Sequence, residues 1–128
     1  MSAGAVILVV DDNRLNLELA TDVLQAAGYG VRQAGSGPEA IAIARAEQPQ
    51  LILMDIGLPG MDGYAALRAL RGEPSTAEIP VAALTAYAMA GDEQRALAAG
   101  FDGYITKPID TRELPNAVAG LLAGKAGA

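Results

Sequence analysis

The chemistry open to this sequence rests on carboxylates, a hydroxyl and an ammonium group. Because the sequence contains no His and no Cys, it lacks the side chains of most zinc sites, thiolate nucleophiles and imidazole bases. The side chains that could meet in one cleft are those of Asp11, Asp12, Asp55, Thr85 and Lys107. Carboxylates that share a small cleft raise one another's pKa unless a cation joins them. Mg²⁺ is the cation that prefers such oxygen ligands.

Together these groups indicate transfer of a phosphoryl group onto an aspartate. A carboxylate can attack phosphorus and form an acyl phosphate, while a metal ion and Lys107 neutralise charge on the phosphoryl oxygens. Asp55 is the predicted acceptor, because it stands alone after an apolar run and precedes the turn-rich segment 56–63. The adjacent Asp11 and Asp12 are better placed to hold the metal, and Thr85 supplies a hydroxyl at the same rim.

Short apolar runs that alternate with segments of helical period must position these side chains. Strands are predicted over residues 6–10, 30–34, 51–54, 81–84 and 101–105. Helices are predicted before a C-terminal cap at Gly28, from a Ser36 capping box through Glu47, and over residues 92–99 and 111–123. The first helix is predicted to face the core with Leu15, Leu19 and Val23, flanked by Ala20, Leu24 and Ala27, and the last with Leu114, Val118, Leu121 and Leu122.

This alternation predicts an α/β fold with one five-stranded parallel sheet and five helices on its two faces. We expect the flavodoxin-like, doubly wound strand order 2-1-3-4-5, in which the first and third strands are neighbours at the topological switch point. Ligands of open α/β sheets bind at the carboxyl ends of the strands. The three carboxylates are therefore expected to share one crevice.

Composition limits the partners and the compartment. With 128 residues and a net charge of −6, the chain is expected to form a single domain over residues 1–128, with its core at about 5–123 and a frayed tail at 124–128. The acidic balance disfavours direct nucleic-acid binding. The longest aliphatic run, residues 5–10, is too short for a membrane span, and the N-terminus has no secretion signal. We expect a cytoplasmic protein.

The sequence resembles the receiver domain of bacterial two-component response regulators from Ile7 to about Leu122. Five segments in order carry the match: VVDDN at 9–13, LMDI at 53–56 with LPGMDG at 58–63, LTA at 84–86, AGFDGY at 99–104 and TKP at 106–108. Residues 85–93 are similar to single-domain regulators of the cell-cycle type and to receivers of hybrid histidine kinases.

The resemblance implies a role for each site residue. Asp55 would be the phosphoacceptor, Lys107 would contact the phosphoryl group, and Thr85 would swing toward it. Tyr104 would then turn from an outward to an inward position, and the bond between Lys107 and Pro108 would be cis. The Mg²⁺ ligands would be Asp12, Asp55 and the backbone carbonyl of Gly57, with Asp11 reaching the ion largely through water.

The resemblance also implies partners. The donor would be a sensor histidine kinase or a histidine phosphotransfer protein, and a downstream protein would bind the face formed by the fourth helix, fifth strand and fifth helix. The chain would be a monomer or a weak phosphorylation-dependent dimer, and would promote only its own phosphorylation and dephosphorylation. Two alternatives stay open: a phosphorylation-independent protein-binding adaptor, and a receiver domain excised from a hybrid histidine kinase.

Each site residue also has an ordinary structural interpretation. Asp11 and Asp12 could cap the first helix, Asp55 could be a turn residue, and Lys107 could be solvated. Thr85 could end a strand, and Tyr104 could be a half-buried strand aromatic. Gly57 and Tyr87 are expected to tune the phosphoryl lifetime, and Pro115 predicts that the last helix either starts late or is kinked.

Overall fold

The helices and strands of a computed structural model alternate along the chain, over the described residues 5–58, 60–85, 91–107 and 109–127. The strands are β1 Val6–Val10, β2 Gly30–Ala34, β3 Leu51–Asp55, β4 Val81–Thr85 and β5 Gly103–Thr106. The helices are α1 Arg14–Ala26, α2 Gly37–Glu47, α3 Gly63–Arg71, α4 Asp92–Ala99 and α5 Glu113–Gly127. The expectations at Tyr87 and Pro108 lie outside the described residues.

All five strands are parallel and follow the order β2-β1-β3-β4-β5, as predicted. Helices cover both faces of the sheet, so two apolar cores form. One core packs α2, α3 and α4 against the sheet, through residues such as Ala40, Leu67 and Ala96. The other packs α1 and α5, through Leu24 and Val118. Fully buried strands explain the unbroken apolar runs at β1, β3 and β4.

The register of the strands aligns their carboxyl ends at one edge of the sheet. Val10 of β1 pairs with Met54 of β3, so the next residues, Asp11 and Asp55, leave the two strands side by side. On the other side of β3, Asp55 pairs with Leu84, the residue that precedes Thr85. The parallel register therefore gathers polar residues that are far apart in the sequence.

The stripe predicted for α1 is confirmed at Ala20, Val23 and Leu24 and wrong at Leu15, Leu19 and Ala27. Leu15 is 74% exposed and Leu19 is 38% exposed, while Ala20 and Leu24 are fully buried. Ala27 is exposed as well. Leu17 packs against the same core as Ala20 and Leu24, which places the buried stripe one helical position away from the expected one. Both stripes carry apolar residues at helical spacing, and packing against the sheet selects between them.

The boundaries of the last strand and the last helix also differ from the prediction. The strand begins at Gly103 instead of residue 101, because the Phe101 amide still donates to the Ala96 carbonyl at the end of α4, 3.2 Å away. The helix begins at Glu113 instead of residue 111, which places Pro115 in its first turn. Of the two alternatives predicted from Pro115, a late start or a kink, the structure shows the late start. The helix then continues to Gly127, into the segment expected to fray.

Helix ends confirm the local signals of the sequence. Ser36 caps α2, with its Oγ accepting from the Glu39 amide at 3.3 Å. Gly28 follows α1 with φ of +100°, and Gly100 follows α4 with φ of +114°, a left-handed conformation that favours glycine. Within the described part of the chain, no helix has both the length and the apolarity of a membrane span.

Candidate functional site

Three carboxylates meet at the carboxyl edge of the sheet. One oxygen from each of Asp11, Asp12 and Asp55 can be chosen so that all lie within 4.8 Å of one another. Asp11 and Asp55 are buried, at 1% and 7% exposure, whereas Asp12 is exposed. The cluster is therefore a shallow acidic cleft with two desolvated walls and one side open to solvent.

The cap of α1 is Asn13, and not Asp11 or Asp12. The Asn13 Oδ1 accepts from the amides of Leu15 at 2.9 Å and Asn16 at 3.2 Å. Asp11 Oδ1 accepts from the Asn13 amide at 2.8 Å, which orients the Asp11 side chain. Capping thus leaves Asp11 Oδ2 and the Asp12 carboxylate for the cleft. An Asn directly before a helical segment is the signal that could have shown this from the sequence.

Lys107 reaches the cleft from the end of β5. Its backbone amide donates to the Thr85 carbonyl at 2.7 Å, which extends the pairing of β4 with β5 by one residue. Its Nζ lies 3.0 Å from Asp55 Oδ2 and 2.7 Å from Asp11 Oδ2. Burial opposes the charge of Lys107, but the two carboxylates outweigh burial and raise its pKa. The ammonium group stays charged between two acidic walls.

Asp55 has one oxygen held by the loop that follows it and the other by Lys107. Its Oδ1 accepts from the Gly57 amide at 2.9 Å, and its Oδ2 accepts from Lys107 Nζ. Burial raises the pKa of Asp55, and the charge of Asp11 adds to this, while the bonds from Gly57 and Lys107 act in the opposite direction. The carboxylate is fixed in orientation and destabilised as an anion.

The donor set fits a hard divalent cation. Asp11 Oδ2 is buried, and the Lys107 ammonium that lies 2.7 Å from it also pairs with Asp55. Three clustered carboxylates that share one ammonium keep a net negative charge, which a further cation would neutralise. Carboxylate oxygens alone, with one side open for water, match the coordination of Mg²⁺ and not that of zinc.

Thr85 and Tyr104 lie beside this cluster on the next two strands. Thr85 ends β4 and is buried at 3% exposure. Tyr104 pairs with Ala83 of β4 and packs, partly buried, against the same core as Tyr64. Burial, followed by the charge of Asp92, raises the pKa of the Tyr104 phenol. Its hydroxyl therefore stays protonated at neutral pH.

Sequence reasoning missed two features of the helices that follow β1 and β3. The first is the exposed apolar pair Leu15 and Leu19 on α1, the helix that begins just after the acidic segment 11–12. The second is Tyr64, whose ring meets Phe101 edge to face with centroids 5.5 Å apart. Tyr64 follows the motif glycine Gly63, so its position in the sequence marks it, but its aromatic contact depends on the fold.

Comparison with known proteins identifies the family. The sequence model of the response regulator receiver domain matches residues 7–119. The polar-differentiation response regulator DivK of Brucella ovis is 44% identical over 103 residues, which cover 80% of this chain and 84% of the relative. The DivK of Brucella anthropi is 43% identical over the same length.

Solved structures agree with this assignment. The chemotaxis protein CheY4 of Vibrio cholerae superposes with a TM-score of 0.86 at 29% identity, covering 93% of this chain and 99% of that one. The receiver domain of a sensor histidine kinase from Pseudomonas aeruginosa PAO1, solved with a magnesium ion coordinated in its active site cleft, gives 0.86 at 36% identity, covering 94% and 99%. The chain described here belongs to the receiver domain family of response regulators.

Proposed function

We propose that this protein is a phosphoryl-accepting signalling switch, in which Asp55 takes a phosphoryl group from the phosphohistidine of a kinase or phosphotransfer protein. The single observation that carries the proposal is the convergence of Asp11, Asp12 and Asp55 with the Lys107 ammonium, 3.0 Å from the Asp55 carboxylate. Membership in the receiver family supports the same chemistry.

Mg²⁺ is the proposed cofactor of this cleft. Asp12, Asp55 and the backbone carbonyl of Gly57 would hold the ion, with Asp11 acting largely through water. The magnesium ion in the related Pseudomonas receiver supports this proposal. When bound, the ion supplies positive charge against the carboxylates and the phosphoryl oxygens.

The chain's own residues then carry the transfer. An Asp55 carboxylate oxygen attacks phosphorus, the P–N bond to the donor imidazole breaks, and the imidazole leaves with the bonding pair. Lys107 stabilises charge on the phosphoryl oxygens, because its ammonium already lies at the attacking carboxylate. Water later attacks phosphorus, which releases inorganic phosphate and restores the Asp55 carboxylate. The protein thus promotes only its own phosphorylation and dephosphorylation, and acts on no external substrate.

Exposed apolar side chains on α1 support a protein as the phosphodonor. Leu15 and Leu19 lie on the outer side of the helix that begins just after the acidic segment. A partner helix that buries them would bring its phosphohistidine to the cleft, because α1 and Asp55 share the same edge of the sheet. A small phosphodonor would gain nothing from these side chains.

The output is proposed to be a protein surface formed by α4, β5 and α5. Lys107 already reaches into the cleft, so phosphorylation would draw Thr85 inward, with Tyr104 following, and bias this surface toward its active form. A groove of about 600 Å³ lies there, and its lining includes Tyr104, Ile105, Asp110, Glu113 and Leu114. We propose a downstream protein as its ligand, in the cytoplasm, with the receiver a monomer or a weak phosphorylation-dependent dimer and with no direct nucleic acid or membrane partner.

Intact-mass measurement after incubation with Mg²⁺ and a small phosphodonor such as acetyl phosphate tests this function. We expect one added phosphoryl group in the wild type and none in Asp55→Asn. Asp62→Asn is the matched control, because Asp62 lies in the same loop and only caps α3, through its bond to the Ala65 amide at 2.8 Å. Asparagine caps helices as well as aspartate does. An unmodified wild type would favour the phosphorylation-independent adaptor.

A further inference from the structure

We propose that Gly63 is a positioning residue for the acidic cleft, because its missing side chain lets α3 pack directly on the backbone of the phosphoacceptor. This inference rests on the proposed function. It assigns to Gly63 the placement of the Asp55 carboxylate and of the adjoining Gly57, and so of the site that takes the metal ion.

The three atoms nearest to a side chain on Gly63 would all belong to the main chain. A Cβ on Gly63 would lie 2.6 Å from the Asp55 carbonyl oxygen, 2.8 Å from Ile56 Cα and 3.2 Å from the Asp55 carbonyl carbon. The first two separations are shorter than real Cβ atoms show, the third is tight, and none of the three atoms can rotate away. An alanine would therefore push the end of β3 and the start of α3 apart.

The backbone conformation of Gly63 does not explain the glycine. The described glycines with positive φ are Gly28, Gly60, Gly91 and Gly100, so Gly63 has an ordinary φ. As the first residue of α3, it could be alanine at a gain in helix propensity, since glycine costs up to about 1 kcal/mol relative to alanine within a helix. The close approach of the Asp55 backbone is therefore the reason why position 63 requires a residue without a side chain.

Displacement at this contact passes directly into the cleft. The Gly63 amide donates to the Ile56 carbonyl at 3.0 Å, which ties the start of α3 to the residue after Asp55. Gly57, which follows Ile56, donates its amide hydrogen to Asp55 Oδ1 at 2.9 Å. A shift of Ile56 thus changes both the Gly57 peptide and the orientation of the Asp55 carboxylate.

Gly37 shows what a replaceable glycine contact looks like. It is also the first residue of a helix, but a Cβ there would meet the side chain of Met61, at 2.9 Å from Sδ and 3.0 Å from Cγ. A methionine side chain can change rotamer to make room. The contact at Gly63 cannot be relieved by a rotamer change, because its partners are backbone atoms.

The test is Gly63→Ala, read by Mg²⁺ titration calorimetry and by the Gly57 amide resonance of the metal-free protein. We expect the Mg²⁺ affinity to fall about tenfold, the lower range for lost support around a metal site. We also expect the Gly57 amide to shift without metal. Gly120→Ala is the steric control, because a Cβ there meets nothing within 4 Å. Ile79→Val, a buried position two residues before β4, is the control for lost stability, at about 0.5–1.5 kcal/mol.

A merely structural role would lower the stability of Gly63→Ala and leave its Mg²⁺ affinity equal to that of Ile79→Val, which would overturn the proposal. If the variant is partly unfolded, the titration is repeated in sucrose, which favours the compact state. It then measures the Mg²⁺ affinity of the folded protein. Failure to fold even there would show a role in the fold itself and also overturn it. A wild type that binds no Mg²⁺ contradicts the proposed function, whereas normal affinity in Gly63→Ala contradicts this inference alone.

Discussion

The Lys107 ammonium lies 3.0 Å from Asp55 Oδ2, although 52 residues separate the two in the sequence. The same ammonium is 2.7 Å from Asp11 Oδ2. One lysine therefore pairs with both buried carboxylates of the cleft and leaves one negative charge uncompensated. A divalent ion that enters the cleft must share those oxygens with a fixed positive charge.

Replacement of Lys107 by methionine is expected to make the protein less stable without metal and more dependent on Mg²⁺. The variant leaves Asp11 and Asp55 without their cation, which should cost about 1–3 kcal/mol, less than for a fully buried pair because the cleft opens to water. Mg²⁺ no longer competes with the ammonium, so it should raise the melting temperature more than in the wild type. Thermal unfolding with and without Mg²⁺ measures both effects.

Arg95→Met is the control for the lost charge, because Arg95 is largely exposed and 3.7 Å from Asp92. It should respond to Mg²⁺ as the wild type does. An equal response of Lys107→Met and Arg95→Met would contradict the close pairing of Lys107 with the cleft.

Loss of the α1 cap should destabilise the protein, whereas loss of the neighbouring Asp12 carboxylate should not. Asn13→Ala removes the acceptor of two amides and should lower the free energy of unfolding by about 1 kcal/mol. Asp12→Asn keeps that cap and relieves repulsion within the cluster, so its stability in metal-free buffer should equal or exceed that of the wild type. Urea denaturation in the presence of a chelator compares the two, and equal losses would show that Asp12 shares the capping.

Arg71 should matter for stability and not for the cleft. Its guanidinium donates to the carbonyls of Ala77, Ile79 and Gly100 and to the Asp102 carboxylate, at 2.6 to 3.0 Å. Lysine cannot reproduce this fork, so Arg71→Lys should lose about 1–3 kcal/mol as the carbonyls lose their donors. Its Mg²⁺ affinity should stay at the wild-type value. A loss of affinity without loss of stability would refute this assignment.

The ion pair between Arg45 and Glu73 predicts a pH-dependent difference. The hydrogen bond from Arg45, at 2.7 Å, lowers the pKa of Glu73 in the folded protein. A lowered folded-state pKa adds stability above the unfolded pKa of about 4.3, and this stability is lost as the pH falls through the folded value. Urea midpoints of the wild type and Glu73→Gln should therefore differ at pH 7 and converge as the pH is lowered through the folded-state pKa of Glu73. A difference that persists at low pH would exclude the ion pair as its cause.

The strands and the identity of the cleft residues could be predicted because their signals are local, whereas the strand order is expected from the common doubly wound arrangement. Buried parallel strands are continuous apolar runs, and the polar residues that end them are visible in the sequence. The expected gathering of Asp11, Asp12 and Asp55 follows from the strand order alone. Their roles in metal binding and phosphoryl transfer stay predictions.

The remaining features depend on packing that no local pattern records. Leu15 and Leu19 have the spacing of a buried stripe, but of that predicted stripe the sheet receives Ala20 and Leu24. The reach of Lys107 to two carboxylates depends on side-chain direction at the end of β5. The contact of Gly63 with the Asp55 backbone arises from how α3 docks on β3.

The most direct test of the central claim locates the phosphoryl group on the chain. Borohydride reduces an aspartyl phosphate to homoserine, because hydride displaces phosphate from the acyl carbon and then reduces the aldehyde. After phosphorylation in Mg²⁺ and reduction, peptide mass mapping should find homoserine at position 55 and aspartate at 11, 12 and 62. Homoserine at another aspartate, or unchanged aspartate at position 55 in a protein that has gained a phosphoryl group, would contradict the account.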